Sequence, residues 1–261
     1  MNSPKHVDWA TSGPVVRLTM ARPEKRNAIS LQTALELRDA VTRAGNDPDS
    51  RVIVLAGSGE RAFASGADLD EIAGAMDTPR KAAEYDAQIG LLYDALRDSP
   101  LPIIARIHAA AIGGGCLLAL ACDIRVASES ATFGVPVSRI GLMLSVREHA
   151  MLLENLTPSQ AKTLLFSGRR LSAREAADWN LVDLVAPAER LDACVDELAE
   201  QIAAGAPRAV SAAKRLVHAV RGDGRVAEVA QSCYTDIYTS RDLREGFAAI
   251  TERRRPVFNG N

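Results

Sequence analysis

Gly113, Gly114 and Gly115 stand in an unbroken row, followed at once by the apolar run CLLALA. Glycine has no Cβ, so the main chain at such a row can approach a partner more closely than any other residue allows. Chemistry at this row would work through backbone N–H groups, because no acid or base follows until Asp123. A triple glycine alone reads first as a turn that lets a helix pack close to a strand. Dinucleotide binding does not fit: the spacing is not G-x-G-x-x-G, and no acidic residue closes a strand about 20 positions later. Side chains able to move protons flank the row. Asp68, Asp70 and Glu71 precede it, His108 and Cys116 border it, and Arg147, Glu148 and His149 follow. Nothing near Cys116 marks it as activated, so it reads as a core thiol. Glu148 falls at a helix start, where a carboxylate is favourable without any function. Cys116, Cys122, Cys194 and Cys233 form no C-x-x-C pair and no zinc spacing, which implies buried free thiols, a reducing compartment and no metal.

The elements that must hold these residues alternate in type. PVVRLTM, RVIVLAGSG, LPIIARIH, DIRVAS and LVDLVAP read as strands. SLQTALELRDAVTRAGND reads as a helix capped by Ser30, and TPRKAAEYDAQIGLLYDALRDSP as a long helix with Ile89, Leu92 and Leu96 on one face. FASGADLDEI is a loop running into a helix, and Cys116–Ala121 is a short helix. TPSQ and SARE carry capping boxes at Thr157 and Ser172, with Gly168 as a stop between them. From Ala188 onward everything reads as helix, broken at GAP and GDG. The chain therefore divides into an α/β core over 1–186 and a helical region over 187–261.

Composition sets outer bounds. The chain of 261 residues can bury a substantial core without staples. A net charge of −2 argues against a broad nucleic-acid footprint. No apolar run reaches the roughly 18 residues of a membrane span, and MNSPKHVDWATSG lacks an apolar signal core, so a cytoplasmic protein is expected.

Five stretches together resemble the crotonase (enoyl-CoA hydratase/isomerase) superfamily: RPEKRNAIS, RAFASGADLDEI, AAIGGGCLLALACDIRVASESATFGVP, SGRRLSAREAADWNLVDLV and SRDLREGFAAITERRRPVFNG. They run in order from Arg22 to Gly260, and the resemblance covers nearly the whole chain, roughly Val15 to Gly260. The resemblance implies a spiral of repeated β-β-α units and a C-terminal helical region used for trimerisation, in a homotrimer or dimer of trimers. It also implies an acyl-CoA thioester as ligand, with coenzyme A as part of the substrate and no further cofactor. By similarity, the amides of Ala67 and Gly114 form an oxyanion hole for the thioester oxygen. Arg26 and Ala28 line the path of the nucleotide and pantetheine, and Ser65, Asp68, Leu69 and Gly113 flank the hole. Arg253, Arg254 and Phe258 belong to a tail that approaches the CoA phosphates, often from a neighbouring subunit.

The same resemblance exposes what is missing. Hydratases of the family carry one glutamate after the glycine row and another after F-x-x-P; here these positions are Leu117 and Val137. Their P-G-x-G-G turn is replaced by LSVRE. A positioned acid or base contributes about 10²–10⁴ in rate, so hydration is expected to be weak or absent. Ser138 and Arg139 follow Val137 and could face the acyl group, and Glu148 or His149 could stand in as acid or base. Three readings stay open: hydratase or isomerase chemistry, a decarboxylase-like reaction, and acyl-CoA binding without turnover. FGVPVSRIGLMLSVRE resembles GVPYNLVGIHNLTRD of methylmalonyl-CoA decarboxylases, although Val137 stands where those carry tyrosine.

Overall fold

Runs such as VIVLAG, and IIARI apart from Arg106, are apolar, as strands covered on both faces require. In the computed structural model, which describes residues 5–75, 77–222 and 226–261, they form the middle of a six-stranded sheet. Residues 1–4 of the N-terminal stretch and 223–224 of the GDG break lie outside the described residues. β1 (Val7–Ser12) and β2 (Val15–Met20) form an antiparallel hairpin, and Gly13 between them takes a φ of 56°. β2, β3 (Val52–Gly57), β5 (Ile103–Ile107), β7 (Ile124–Ser128) and β10 (Leu184–Ala186) are parallel, in that spatial order.

A second sheet is built from very short strands: β4 (Ala62–Ala64), β6 (Ala110–Ile112), β8 (Thr132–Gly134) and β9 (Leu171–Ser172). The chain spirals between the two sheets. From β3 to β8 each turn places a strand in the large sheet, the next strand in the small one, and then returns through helix. α2 (Leu69–Ala75) and α3 (Pro79–Asp98) follow β4, and α4 (Gly114–Ala121) follows β6. α5 (Val146–Asn155) and α6 (Pro158–Ser167) follow β8. The expected spiral of β-β-α units is therefore present. β4 and β6 are parallel, with Ala64 paired to Ala111. That register sets the loop after β4 beside the glycine row after β6.

Capping follows the sequence signals. Thr33 N donates to Ser30 Oγ at 3.1 Å, starting α1 (Leu31–Gly45), and both capping boxes form, the second opening α7 (Ala173–Asp178). One core lies between the sheets and α1, α3 and α4, with Leu18, Phe63, Leu92, Leu96 and Phe133 fully buried. The opposite face of the large sheet is covered by α8 (Leu191–Ala203), through Leu191, Val195 and Ala199 on Val52, Val54, Ile104 and Val126. The division expected after residue 186 falls at the end of β10, yet the packed α/β body runs on through α8.

α9 (Pro207–Gly222), α10 (Val226–Tyr238) and α11 (Arg241–Glu252) complete the chain. α9 is anchored by the buried Lys214, whose Nζ donates to Leu96 O, Leu101 O and Asp123 Oδ2 at 3.0, 3.2 and 2.8 Å. Among the described residues no helix is long and apolar enough to cross a membrane.

Candidate functional site

The loop after β4 is stitched down almost residue by residue. Ser65 N donates to Arg26 O, Ile29 N to Gly66 O and Asp68 N to Ile29 O, at 3.0, 2.8 and 3.0 Å. Ile29 and Ala67 are thus partners in a parallel bridge, in which Ile29 bonds the residues on either side of Ala67. The N–H of Ala67 is left over, and it has no acceptor among the described residues. Behind the loop, Arg22 donates to Ala28 O at 2.9 Å and to Asp68 Oδ2 at 2.8 Å. Burial opposes the charge on Asp68, but the Arg22 guanidinium and the Asp70 amide outweigh it and hold the carboxyl below its usual range. Asp68 is therefore a strut for the loop. Buried Asn27 completes the support by donating to Ser58 O and Ala62 O.

The three glycines play three different parts. Gly113 is the N-cap of α4 at φ 54° and ψ −124°, a backbone shape that favours glycine. Gly115 packs α4 onto β4 so closely that a Cβ there would lie 2.1 Å from Ala64 O. Gly114 has neither constraint: a Cβ on it would make ordinary contact, 3.4 Å from Ala67 N. As the first residue of α4, Gly114 has an N–H with no intrahelical acceptor, and none is supplied by another described residue. Two unsatisfied amides, Ala67 and Gly114, therefore sit side by side, one of them at the positive end of a helix.

Both face a cavity of about 670 Å³, a size suited to a small-molecule ligand. Arg26, Ala28, Ser65, Asp68 and Leu69 line one side of it, and Gly113, Val137 and Arg139 line another. Lys25, Arg26, Arg139 and Arg170 put cationic groups on its wall, and Ile72, Ile89, Ile112, Leu142 and Met143 make much of the remainder apolar.

Three expected site residues fall elsewhere. Leu117 lies on the inward side of α4, fully buried in the core and off the cavity wall, because the first turn of α4 presents Gly113 and Gly114 instead. Arg253 is exposed in the left-handed cap of α11, and Phe258 lies in a separate groove among α9, α10 and α11, so neither lines the cavity of its own chain. Arg254 of the same tail is engaged by Glu245 at the surface. Ser138 is also off the wall, donating to Phe166 O at 3.2 Å.

Of the two candidate substitute groups, the structure brings one to the cavity. Glu148 lines it, whereas His149 turns its Nδ1 to Ser145 O at 2.9 Å. Burial is the largest influence on Glu148 and raises its pKa, even though the Ser145 amide and hydroxyl stabilise the charge. Cys116 is off the wall, and burial pushes its thiol up to about 12, as expected of an inert core thiol. Cys194 is only half-buried, unlike the other three.

Tyr85, Asp86 and Tyr93 also line the cavity, all from α3. The sequence pattern marked the buried face of α3 by Ile89, Leu92 and Leu96. Tyr85 and Tyr93 lie on that same face, but Asp86 stands at its edge, where an acid cannot be told from a solvated one by spacing alone.

The burial of Leu117 has a testable consequence. Leu117→Glu places an unpaired carboxylate in the core and is expected to cost about 3 kcal/mol or more in urea unfolding. Val137→Glu puts its carboxylate on the cavity wall and should shift the unfolding midpoint far less. Equal stabilities would contradict this placement.

Compared with known proteins, residues 10–261 match the family described as enoyl-CoA hydratase/isomerase. The chain is 33% identical over 256 residues to the carnitinyl-CoA dehydratase of Proteus mirabilis (strain HI4320), covering 96% of this chain and 97% of that protein. It superposes on an enoyl-CoA hydratase from Bacillus anthracis with a TM-score of 0.91 at 31% identity, covering 98% of this chain and 100% of the other. An enoyl-CoA hydratase/carnithine racemase from Magnetospirillum magneticum gives a TM-score of 0.91 at 33% identity, over 99% and 97% of the two chains.

Proposed function

Because this chain belongs to the enoyl-CoA hydratase/isomerase family, we propose that its cavity takes an acyl-CoA thioester and that the amides of Ala67 and Gly114 together hold the thioester oxygen. The observation that carries this reading is the pair of unsatisfied N–H groups side by side on one wall. Two fixed donors stabilise an oxygen most when it carries full negative charge, so they favour the enolate over the bound thioester. The amides need no reorganisation, since the bridge to Ile29 and the start of α4 fix them in advance.

The rest of the wall suits the rest of such a ligand. Lys25 and Arg26 carry positive charge for the CoA phosphates, and Lys25 is only loosely held by an exposed ion pair with Asp70. The apolar side, including Ile72 and Ile89, takes the acyl chain and excludes water from it. Hydration by the two-glutamate route is expected to be weak or absent, since Val137 brings no carboxylate to the wall and Leu117 is not on it. Glu148 on that wall favours a proton-transfer reaction, of isomerase or lyase type, over simple carriage of the thioester and over decarboxylation, which needs no base.

A role in fatty-acid metabolism agrees with this substrate class, and a cytoplasmic location is part of the same proposal. A homotrimer or dimer of trimers accounts for the exposed Tyr234, Tyr238, Phe247 and Ile250 of α10 and α11. It would also let Arg253 and Phe258 serve a neighbour's cavity.

Calorimetry tests the thioester reading. Crotonyl-CoA is expected to bind about tenfold or more tightly than its thioether analogue, which has no carbonyl for the two donors. Equal affinities, or no binding of crotonyl-CoA, would overturn it.

A further inference from the structure

Glu148 reaches the cavity from the first turn of α5. One of its oxygens is committed: Oε2 accepts from Ser145 N at 2.8 Å and from Ser145 Oγ at 2.9 Å, closing the capping box. Its other oxygen, Oε1, has no donor among the described residues. The adjacent Arg147 pins α5 to α3 by donating to Gly90 O at 3.2 Å and pairing with Asp94. Asp86 lies one helical turn before Gly90 on α3, so the same clamp brings Asp86 and Glu148 to one end of the cavity.

A second feature at that end points to a ligand. Tyr85 is buried at 6% exposure, lines the cavity, and has a hydroxyl with no partner. Asp86 likewise has no hydrogen-bond donor among the described residues. A buried hydroxyl is ordinarily satisfied, and the vacant one of Tyr85, beside the half-buried Asp86 and Glu148 carboxylates, is what a polar ligand would complete.

We infer that Glu148 is the proton-transfer group of this cavity, acting through its uncommitted oxygen, with Asp86 as the positioning residue that tunes it. This rests on the acyl-CoA reading above and deepens it. The Glu148 carboxylate takes a proton from C2 of the bound thioester. The C–H electron pair becomes the enolate, with its charge on the oxygen held by Ala67 and Gly114. The protonated Glu148 then returns a proton to C2, or to C4 of a β,γ-unsaturated chain as the double bond shifts into conjugation. No oxidant, metal or second substrate enters the balance.

The surroundings suit this task. Burial raises the Glu148 pKa, and the Asp86 charge raises it further, opposed by Ser145 and by His149. Burial likewise raises Asp86. From α3, Tyr85 and Tyr93 face the pair with hydroxyls that burial keeps protonated, and Glu71 and Asp68 add negative charge toward Tyr85. Arg147, the neighbouring cation, is spent on Asp94. A half-buried carboxyl beside a second carboxylate has its pKa raised, which makes its carboxylate form a stronger proton acceptor.

Vinylacetyl-CoA in heavy water tests the inference, with deuterium at C2 and C4 followed by NMR. The wild-type protein is expected to incorporate deuterium. Glu148→Gln, which keeps the capping box because glutamine also accepts at that position, should exchange about 10²-fold or more slowly while binding the thioester within a few-fold of wild type. Asp86→Asn removes a negative charge, so the Glu148 pKa falls and the rising limb of the rate moves to lower pH. Exchange by Glu148→Gln at the wild-type rate, an unmoved pH profile in Asp86→Asn, or a wild-type protein that binds without exchange would each overturn the inference while leaving the thioester site standing. Failure to bind at all would instead remove the acyl-CoA reading.

Discussion

Gly114→Pro is expected to leave the fold intact and to slow deuterium exchange into vinylacetyl-CoA about 10²–10³-fold, the usual cost of one oxyanion donor. Proline is well accepted as the first residue of a helix, where its missing N–H breaks no intrahelical bond. Gly114 occupies that position in α4. Proline also restricts the residue before it, disfavouring the α region there, but Gly113 at ψ −124° lies outside that region. The added Cβ would sit 3.4 Å from Ala67 N, within ordinary contact. The substitution removes the donor hydrogen and sets the ring Cδ in its place, so it closes that half of the hole without breaking a helical bond. Gly114→Ala is the control: it keeps the N–H and should retain much of the rate. A Gly114→Pro protein with wild-type exchange would show that the Gly114 amide takes no part.

Gly115→Ala, one residue on, is expected to fail in a different way. Its Cβ would lie 2.1 Å from Ala64 O, 2.7 Å from the carbonyl carbon and 2.8 Å from Ala64 Cβ. Those atoms belong to β4, which is paired to β6 and cannot swing aside like a flexible side chain. Alanine gains about 1 kcal/mol of helix propensity over glycine, but forced overpacking against backbone exceeds that. A net loss of about 3 kcal/mol in urea unfolding is expected. Thioester binding should weaken as well, because pushing α4 off β4 separates the two amides. A Gly115→Ala protein as stable as wild type would refute the close packing of α4 on β4.

These two neighbours show what the sequence could and could not disclose. The glycine row announced a close backbone approach, but spacing alone could not say which glycine served packing and which faced a ligand. Packing falls to Gly115, where a Cβ would strike Ala64, while Gly114 is free to face the cavity. The large sheet was legible because its central strands are apolar runs, unbroken in Val52–Gly57 and interrupted only by Arg106 in Ile103–Ile107. The small sheet was not. Its strands are two or three residues long, too short to show alternation, and Phe63 and Ala64 of β4 fall within the stretch FASGADLDEI that reads as a loop. Leu117 was placed by alignment to a motif, and only the rotation of α4 reveals that it points into the core. Asp86 carried no signal at all: its place on the cavity depends on Arg147 clamping α5 to α3 across 57 residues of chain.

Isotope-edited infrared spectroscopy offers the most direct test that the Ala67 and Gly114 amides hold a thioester oxygen. A crotonyl-CoA labelled with carbon-13 at the carbonyl, bound to the protein, should show its C=O stretch moved to lower frequency than in water. Gly114→Pro should return the band part of the way. A bound thioester whose carbonyl band stays at its aqueous position would contradict the account.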